Sequence, residues 1–141
     1  MSWLVVDTSV VIKWLNKDNE QDLDQADLIL QDAEVGKVML MAPELLKYET
    51  GNVLLKGKQL TMKQAKVCLE ALYSLPIIYS SETSTSAQKT FLLAESLGIT
   101  YYDAAFIVLA KQYDAQLVTD NVKHQGKATN TKVTALKDYA K

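Results

Sequence analysis

The sequence contains no arginine, and all 15 of its basic residues are lysines. Arginine reads base edges and clamps phosphates through paired hydrogen bonds, so sequence-specific recognition of duplex nucleic acid is not expected. Any contact with nucleic acid would depend on lysine point charges at phosphate groups. The net charge of −2 gives the chain no general attraction to a polyanion.

Cysteine, histidine and long apolar stretches are also scarce. With only one cysteine, Cys68, the chain has neither a disulfide framework nor a cysteine-rich zinc site. No apolar run approaches the roughly 20 residues that span a bilayer, and the first residues lack the basic region and cleavage site of a secretion signal. We therefore expect no membrane association and a cytoplasmic location. His124 stands among polar residues and is typical of a surface position.

The length and composition fit a single domain over residues 1–141 with a sizeable core. Charge is unevenly distributed along it. Residues 18–34 carry seven acids and no lysine, whereas residues 121–141 carry five lysines and one acid. This polarity would either favour a polyanion at one end or merely solvate two surfaces, and both interpretations stay open.

Short apolar runs alternate with helical patterns along the chain. The predicted strands cover residues 2–6, 38–41, 76–79, 116–119 and 132–134. The predicted helices cover residues 8–15, 21–34, 43–56, 62–74, 87–97 and 100–113, with Pro43 opening the third, Gly57 ending it and residues 80–86 forming a linker. This alternation predicts an α/β fold, a three-layer α/β/α arrangement around a parallel sheet of four to five strands.

Two of the predicted strands are followed directly by an aspartate. Asp7 follows residues 3–6, and Asp120 follows residues 117–119. The carboxyl ends of parallel strands are where open α/β sheets place their chemistry. The structural alternatives are that Asp7 caps the next helix and that Asp120 is a turn residue.

Two predicted helices carry an acid toward their apolar faces. Glu49 lies within residues 43–56, and its neighbours one turn away are mostly apolar. Such a carboxylate is costly unless it is paired or bound to a cation, with a lysine pair on the rim as the alternative. Asp103 lies in the first turn of an apolar helix, where it also has capping-box spacing from Thr100.

The four acids are predicted to converge on one edge of the sheet. Clustered carboxylates repel and raise one another's pKa unless a hard cation neutralises them. Mg²⁺ or Mn²⁺ suits such an all-oxygen site. The usual task of the site is phosphodiester hydrolysis, because the metal lowers the pKa of an attacking water and stabilises charge on the phosphate.

Four motifs follow one another along the chain: Val6-Asp7-Thr8-Ser9, Glu49…Asn52 after Pro43, Tyr102-Asp103-Ala104-Ala105, and Leu117-Val118-Thr119-Asp120-Asn121. In this order and spacing they resemble the motifs of PIN domains, and in particular those of VapC-type toxins of toxin–antitoxin pairs. The resemblance covers essentially the whole chain. It implies a Mg²⁺- or Mn²⁺-dependent endoribonuclease that is usually dimeric and is inhibited by a small antitoxin in the active-site groove.

The resemblance assigns Asp7, Glu49 and Asp103 to the family's acidic positions. Asp7 and Asp103 would contact the metal, and Glu49 would ligate it or orient the water. The predicted supporting residues are Thr8, Ser9, Asn52, Thr119 and Asn121. The family commonly shows Thr-x-Asp, which would place an acid where this chain has Asn121. Asp120 is therefore the predicted substitute ligand.

Two further groups of residues are candidates for contacts with RNA. The lysines that follow Glu49 would form either a basic rim for a strand or an ordinary solvated hairpin; they are Lys56, Lys58, Lys63 and Lys66. Three tyrosines would stack on unpaired bases or pack in the core; they are Tyr79, Tyr101 and Tyr102. A PIN-like fold that binds RNA or a partner without cleaving remains an alternative, as does another acidic α/β hydrolase such as a phosphatase.

Overall fold

The computed structural model describes residues 2–140 and places a five-stranded parallel sheet between layers of helices. The strands are β1 (Ser2–Val6), β2 (Val38–Pro43), β3 (Ile77–Ser80), β4 (Gln116–Thr119) and β5 (Val133–Ala135). The helices are α1 (Thr8–Leu15), α2 (Leu23–Glu34), α3 (Leu45–Asn52), α4 (Met62–Ser74), α5 (Ser84–Leu97), α6 (Tyr101–Gln112) and α7 (Val122–Gln125). The predicted three-layer α/β/α fold is confirmed.

The order of the strands creates a crevice at the carboxyl edge of the sheet. The order is β3-β2-β1-β4-β5, so β2 and β3 extend outward on one side of β1, and β4 and β5 extend outward on the other side. Ligands bind at such a switch point in open α/β sheets. Val6 of β1 stands opposite Val118 of β4, so these two strands end side by side. The residues that follow them are therefore neighbours.

The core forms where the apolar runs of the sequence meet. The later residues of the central strands are buried, as apolar runs in a parallel sheet should be; they are residues 4–6, 40–42 and 117–119. Helix α6 packs on this sheet through a nearly unbroken apolar segment that includes Phe106 and Ile107. Among residues 2–140, no single helix is long and apolar enough to cross a membrane, although α5 and α6 together, bent by 117°, meet that criterion.

The prediction that Pro43 opens a helix is wrong. Pro43 is the last residue of β2, where it lies opposite Ser80, and α3 begins at Leu45. The pairing with β3 continues through this position, so the strand is two residues longer than its apolar run. The helix does end at Gly57 as predicted, but its last part, Val53–Gly57, is a wider π-helical turn.

Other boundaries differ because of capping. Thr83 caps α5 through a capping box with Ser86, so this helix starts at Ser84, inside the predicted linker at 80–86. Thr61 caps α4 in the same way, as predicted. The short helix α7 was not predicted.

Candidate active site

Asp7 lies buried at the junction of β1 and α1, with only 6% of its surface exposed. Its Oδ2 atom accepts hydrogen bonds from the Ser9 amide at 3.2 Å, the Ser9 hydroxyl at 2.6 Å and the Thr119 hydroxyl at 3.2 Å. Its Oδ1 atom accepts one from Gln125 Nε2 at 3.3 Å. Burial raises the pKa of Asp7, although these hydrogen bonds oppose the rise. Asp7 therefore caps α1 and also presents a destabilised carboxylate at the sheet edge.

Glu49 is half-buried on α3 and approaches the same edge. Its Oε1 atom accepts a hydrogen bond from the Thr8 hydroxyl at 2.7 Å. Burial raises the pKa of Glu49, the bond from Thr8 lowers it, and the charges of Asp7 and Asp103 raise it again. The charges of Asp7 and Asp103 thus both act on Glu49, and the three acids come from three separate parts of the chain.

Asp103 occupies the first turn of α6 and is half-buried. Its amide donates to the Thr100 hydroxyl at 3.0 Å, so Thr100 caps this helix. Its carbonyl oxygen accepts from Gln125 Nε2 at 3.3 Å. Within residues 2–140 the Asp103 carboxylate makes no hydrogen bond or ion pair, so it does not complete a capping box and stays available to a cation.

The backbone of Asp120 lies close to the acidic residues, but its side chain points away from them. Its amide donates to the Ser9 hydroxyl at 3.0 Å, whereas its carboxylate forms an ion pair with Lys13 Nζ at 2.7 Å. Successive side chains at a strand end point to opposite sides, and Thr119 is the one that faces Asp7. The structure therefore does not bring the Asp120 carboxylate to the other three, and its role as a ligand stays a prediction.

The predicted supporting residues divide into two groups. Thr8, Ser9 and Thr119 contact the acidic side chains directly, as described above. Asn121 contributes only its backbone N–H, which donates to the Thr119 hydroxyl at 2.8 Å. This bond fixes Thr119, which in turn donates to Asp7. Asn52 is exposed on α3, and its side chain makes no hydrogen bond within the described part of the chain.

Two residues of this region were missed by the sequence analysis. Gln125 is fully buried, and its amide nitrogen bridges the Asp7 carboxylate and the Asp103 carbonyl, while its Oε1 atom finds no partner among residues 2–140. Helix α7 is too short to show a periodic pattern that would have predicted it. Lys13 is only 2% exposed. The one sequence feature that could have indicated its importance is that it is the single charged residue in the apolar run of α1.

The candidate RNA-binding groups are only partly available. Lys58 Nζ bonds to Glu20 Oε2 at 2.7 Å and to the Asp18 carbonyl, which removes Lys58 from the predicted basic rim. The other three lysines of that rim are exposed. Tyr79 has Lys47 Nζ 4.2 Å from its ring centroid, so one ring face is already covered. Tyr101 and Tyr102 lie on the first turn of α6 next to Asp103.

The donor set fits a hard divalent cation. It consists of the carboxylates of Asp7, Glu49 and Asp103, with the unpartnered amide oxygen of Gln125 buried beside them. Within residues 2–140 no three acidic, histidine or cysteine side chains are close enough to enclose an ion alone. Mg²⁺ commonly takes one or two carboxylates and keeps several waters, so an incomplete protein shell suits it.

The comparison with known families decides the affiliation of this fold and site. The sequence model of the PIN domain matches residues 4–128. The chain belongs to the PIN-domain family. PIN domains are generally nucleases that depend on divalent metals, which agrees with the acidic crevice at the end of β1. No curated protein matches the sequence.

Solved structures show the same PIN fold at low sequence identity. PAE2754 from Pyrobaculum aerophilum is 20% identical with a TM-score of 0.69, over 94% of this chain and 83% of that one. A toxin–antitoxin complex from Klebsiella pneumoniae is 15% identical with a TM-score of 0.65, over 94% and 97%. VapC20 from Mycobacterium tuberculosis, a toxin that cleaves the sarcin–ricin loop, is 12% identical with a TM-score of 0.65, over 92% and 98%.

Proposed function

We propose that this PIN domain is a Mg²⁺- or Mn²⁺-dependent endoribonuclease that hydrolyses single-stranded or structured RNA as the toxin of a toxin–antitoxin pair. The observation that carries the proposal is that Glu49 is partly buried next to two other carboxylates, those of Asp7 and Asp103. Burial first, and then the charges of Asp7 and Asp103, raise the pKa of this side chain. A protein tolerates such crowding of carboxylates where a cation relieves it.

Asp7, Glu49 and Asp103 would hold the cation, which supplies positive charge beside the phosphate and lowers the pKa of the attacking water. The residues around them keep the carboxylates in place. Ser9 and Thr119 occupy Oδ2 of Asp7, so Oδ1, with its single hydrogen bond, keeps the more acceptor capacity.

Glu49 has a second role available to it. Its raised pKa makes it more ready to take a proton than an ordinary glutamate, which suits a group that orients and deprotonates water. Thr8 fixes one oxygen of this carboxylate and leaves the other free. Substrate, cation and water would therefore meet between α3 and the end of β1.

The partners belong to the same proposal. The similar folds of a toxin–antitoxin complex and of a toxin that cleaves the sarcin–ricin loop support an RNA substrate and a small antitoxin. The proposed protein partners are the antitoxin and a second copy in a homodimer, and large apolar side chains exposed within residues 48–92 are candidate contacts for them. They are Tyr48, Leu55, Met62, Val67, Tyr73, Phe91 and Leu92. With RNA as its substrate, the enzyme would act in the cytoplasm.

The test is cleavage of labelled single-stranded RNA by the wild type and Asp7→Asn, with Mg²⁺, with Mn²⁺ and with EDTA. We expect metal-dependent cutting that falls at least about 100-fold in Asp7→Asn, because the ligand charge is lost. Asparagine caps a helix as well as aspartate does, so the variant should stay folded. Asp24→Asn, at an exposed position on α2, is the matched control.

A second function is favoured by one observation. Because Asp120 is paired with Lys13, the site lacks a fourth free carboxylate, which would suit a PIN domain that binds RNA or a partner without cutting it. Binding without cleavage over a broad RNA panel, by folded protein free of antitoxin, would establish this function and refute the nuclease. Cleavage that persists in EDTA would refute the proposed metal dependence.

A further inference from the structure

A cavity of about 290 Å³ lies beside α6, on the face of the helix opposite to Asp103. Its lining combines apolar and polar side chains. Leu45, Ala105 and the buried Leu109 supply apolar surface, while Glu44, Glu82 and the exposed Tyr102 supply polar groups and an aromatic ring. A cavity of this size is at the lower limit for small ligands, which occupy about 300 to 1,000 Å³.

The cavity and the acidic site share two helices. On α3, Leu45 lines the cavity and Glu49 follows one turn later, a rise of about 5.4 Å. On α6, Tyr102 lines the cavity while Asp103, the next residue, lies on the opposite face, so the direct connection between cavity and acids runs along α3. An extended strand with its phosphate at the acids can therefore place an adjacent base in the cavity.

We propose that this cavity is a base-binding subsite that selects guanine in the nucleotide next to the cleaved phosphate. The inference rests on the proposed ribonuclease function and names its sequence preference. Tyr102 is 57% exposed at the cavity, so its ring can stack on an unpaired base. Apolar side chains below it would cover the base once it is inserted.

The preference for guanine follows from the charges of the lining. Glu82 Oε2 accepts a hydrogen bond from the Tyr101 hydroxyl at 2.6 Å, and Glu44 Oε2 accepts one from Lys47 at 2.8 Å. Each carboxylate keeps its second oxygen for another donor. No lysine or histidine is among the residues that line the cavity, within the described part of the chain.

Guanine is the base whose edge matches these acceptors. Its ring N–H and its amino group lie side by side, so one can donate to the free oxygen of a carboxylate and the other to the remaining lone pair of the oxygen that is already bonded. In adenine and cytosine the amino group lies beside an unprotonated ring nitrogen, which a carboxylate repels. Uracil has carbonyl oxygens on both sides of its single ring N–H.

The test is sequencing of the cleavage sites that each variant makes in an unstructured random RNA pool with Mn²⁺. Wild type should cut next to guanine. Tyr102→Ala should lose roughly tenfold to 100-fold in kcat/KM for guanine-containing oligonucleotides, because the stacking ring is gone. Glu82→Gln should still cut but with a flattened base preference. Tyr113→Ala and Glu70→Gln, both at exposed positions outside the cavity, should retain the wild-type preference.

Binding without catalysis separates this inference from the proposed function. Guanosine monophosphate is titrated into the protein in EDTA and followed by NMR shifts of the α6 amides, with the other three nucleotides as comparison. Saturable shifts around Tyr102 for guanosine alone support the subsite even if no RNA is cut. No selective shift, or an unchanged cleavage preference in Tyr102→Ala, would overturn it.

A second copy of the chain is the competing occupant of the cavity. If Tyr102→Ala converts a dimer into a monomer by light scattering, the cavity is an interface and the base subsite is refuted. An unchanged molecular mass together with a lost guanine preference supports the subsite.

Discussion

Two groups of charged side chains lie near the same edge of the sheet, and only one of them is neutralised by ion pairs. Asp7 and Glu49 receive hydrogen bonds from neutral donors only, among the described residues. Lys13 of α1, by contrast, forms ion pairs with both Glu20 and Asp120, and Lys58 forms a further ion pair with Glu20. We call the first group the acidic site and the second, made of these four residues, the lysine network.

The difference shows what each group is for. The lysine network satisfies its own charges, so it supports the fold and needs nothing from outside. The acidic site has no cationic partner among the described residues, so we expect an added divalent cation to stabilise it. Asp7 and Asp120 both follow a buried strand, yet they belong to different groups because only Asp120 lies within reach of Lys13.

The two groups are expected to differ most in how they make the free energy of unfolding depend on pH when no metal is present. Asp7 and Glu49 have raised pKa values, so the folded state holds protons that the unfolded state releases, and stability should fall as the pH rises above about 4. Burial opposes ionisation of Glu20, but bonds from Lys58 and Lys13 outweigh it and lower its pKa. Its contribution is therefore lost as the pH falls.

Urea unfolding in EDTA between pH 4 and pH 8 measures this contrast. Glu49→Gln should flatten the loss of stability toward high pH. Glu20→Gln should instead cost stability at pH 7 and little near the acidic end. A Glu49→Gln variant with the wild-type pH slope would refute the account of the acidic site.

The next effect is expected from breaking the lysine network. Lys13→Met leaves Glu20 and Asp120 without their buried partner, and we expect the free energy of unfolding at pH 7 to fall by about 3 kcal/mol. Lys17→Met is the matched control, because Lys17 is 59% exposed and lies 3.8 Å from Asp27. The control should lose less than about 1 kcal/mol. Equal losses in the two variants would show that the network adds nothing specific.

The smallest effect should come from Asp120, which tests the boundary between the two groups. Its side chain is 36% exposed, so Asp120→Asn should lower stability by only about 1 kcal/mol. Mn²⁺ affinity, measured by calorimetry, should stay as in the wild type, and Asn121→Ala serves as the neighbouring control. A tenfold loss of affinity in Asp120→Asn alone would instead make Asp120 a ligand.

Most of the fold follows from local pattern. The apolar runs at 2–6 and 116–119 form β1 and β4 with their predicted bounds, and parallel ends place Asp7 beside Thr119. Glu49 and Asp103 are predicted members of the acidic site because each is an acid on the apolar face of a predicted helix. Because these signals lie within one element, they can be read without knowing the tertiary contacts.

The remaining features depend on contacts between distant segments. The ion pair of Lys13 with Asp120 joins α1 to the end of β4, and no local sequence pattern around either residue predicts this pairing. The same holds for Gln125, whose two acceptors lie on β1–α1 and on α6. Pro43 was misassigned for a related reason, since its strand is extended by pairing with β3 rather than by its own propensity.

The pocket around Asp7 is closed by hydrogen bonds from residues 112 and 118 positions later in the chain. Closing such long loops is entropically expensive, and contacts of this range form late in folding. During synthesis on a ribosome, Asp7 and Ser9 emerge together, but the hydrogen bonds from Thr119 and Gln125 form only after β4 and α7 have left the exit tunnel and docked. The proposed nuclease would therefore complete its acidic site only after these late segments have folded.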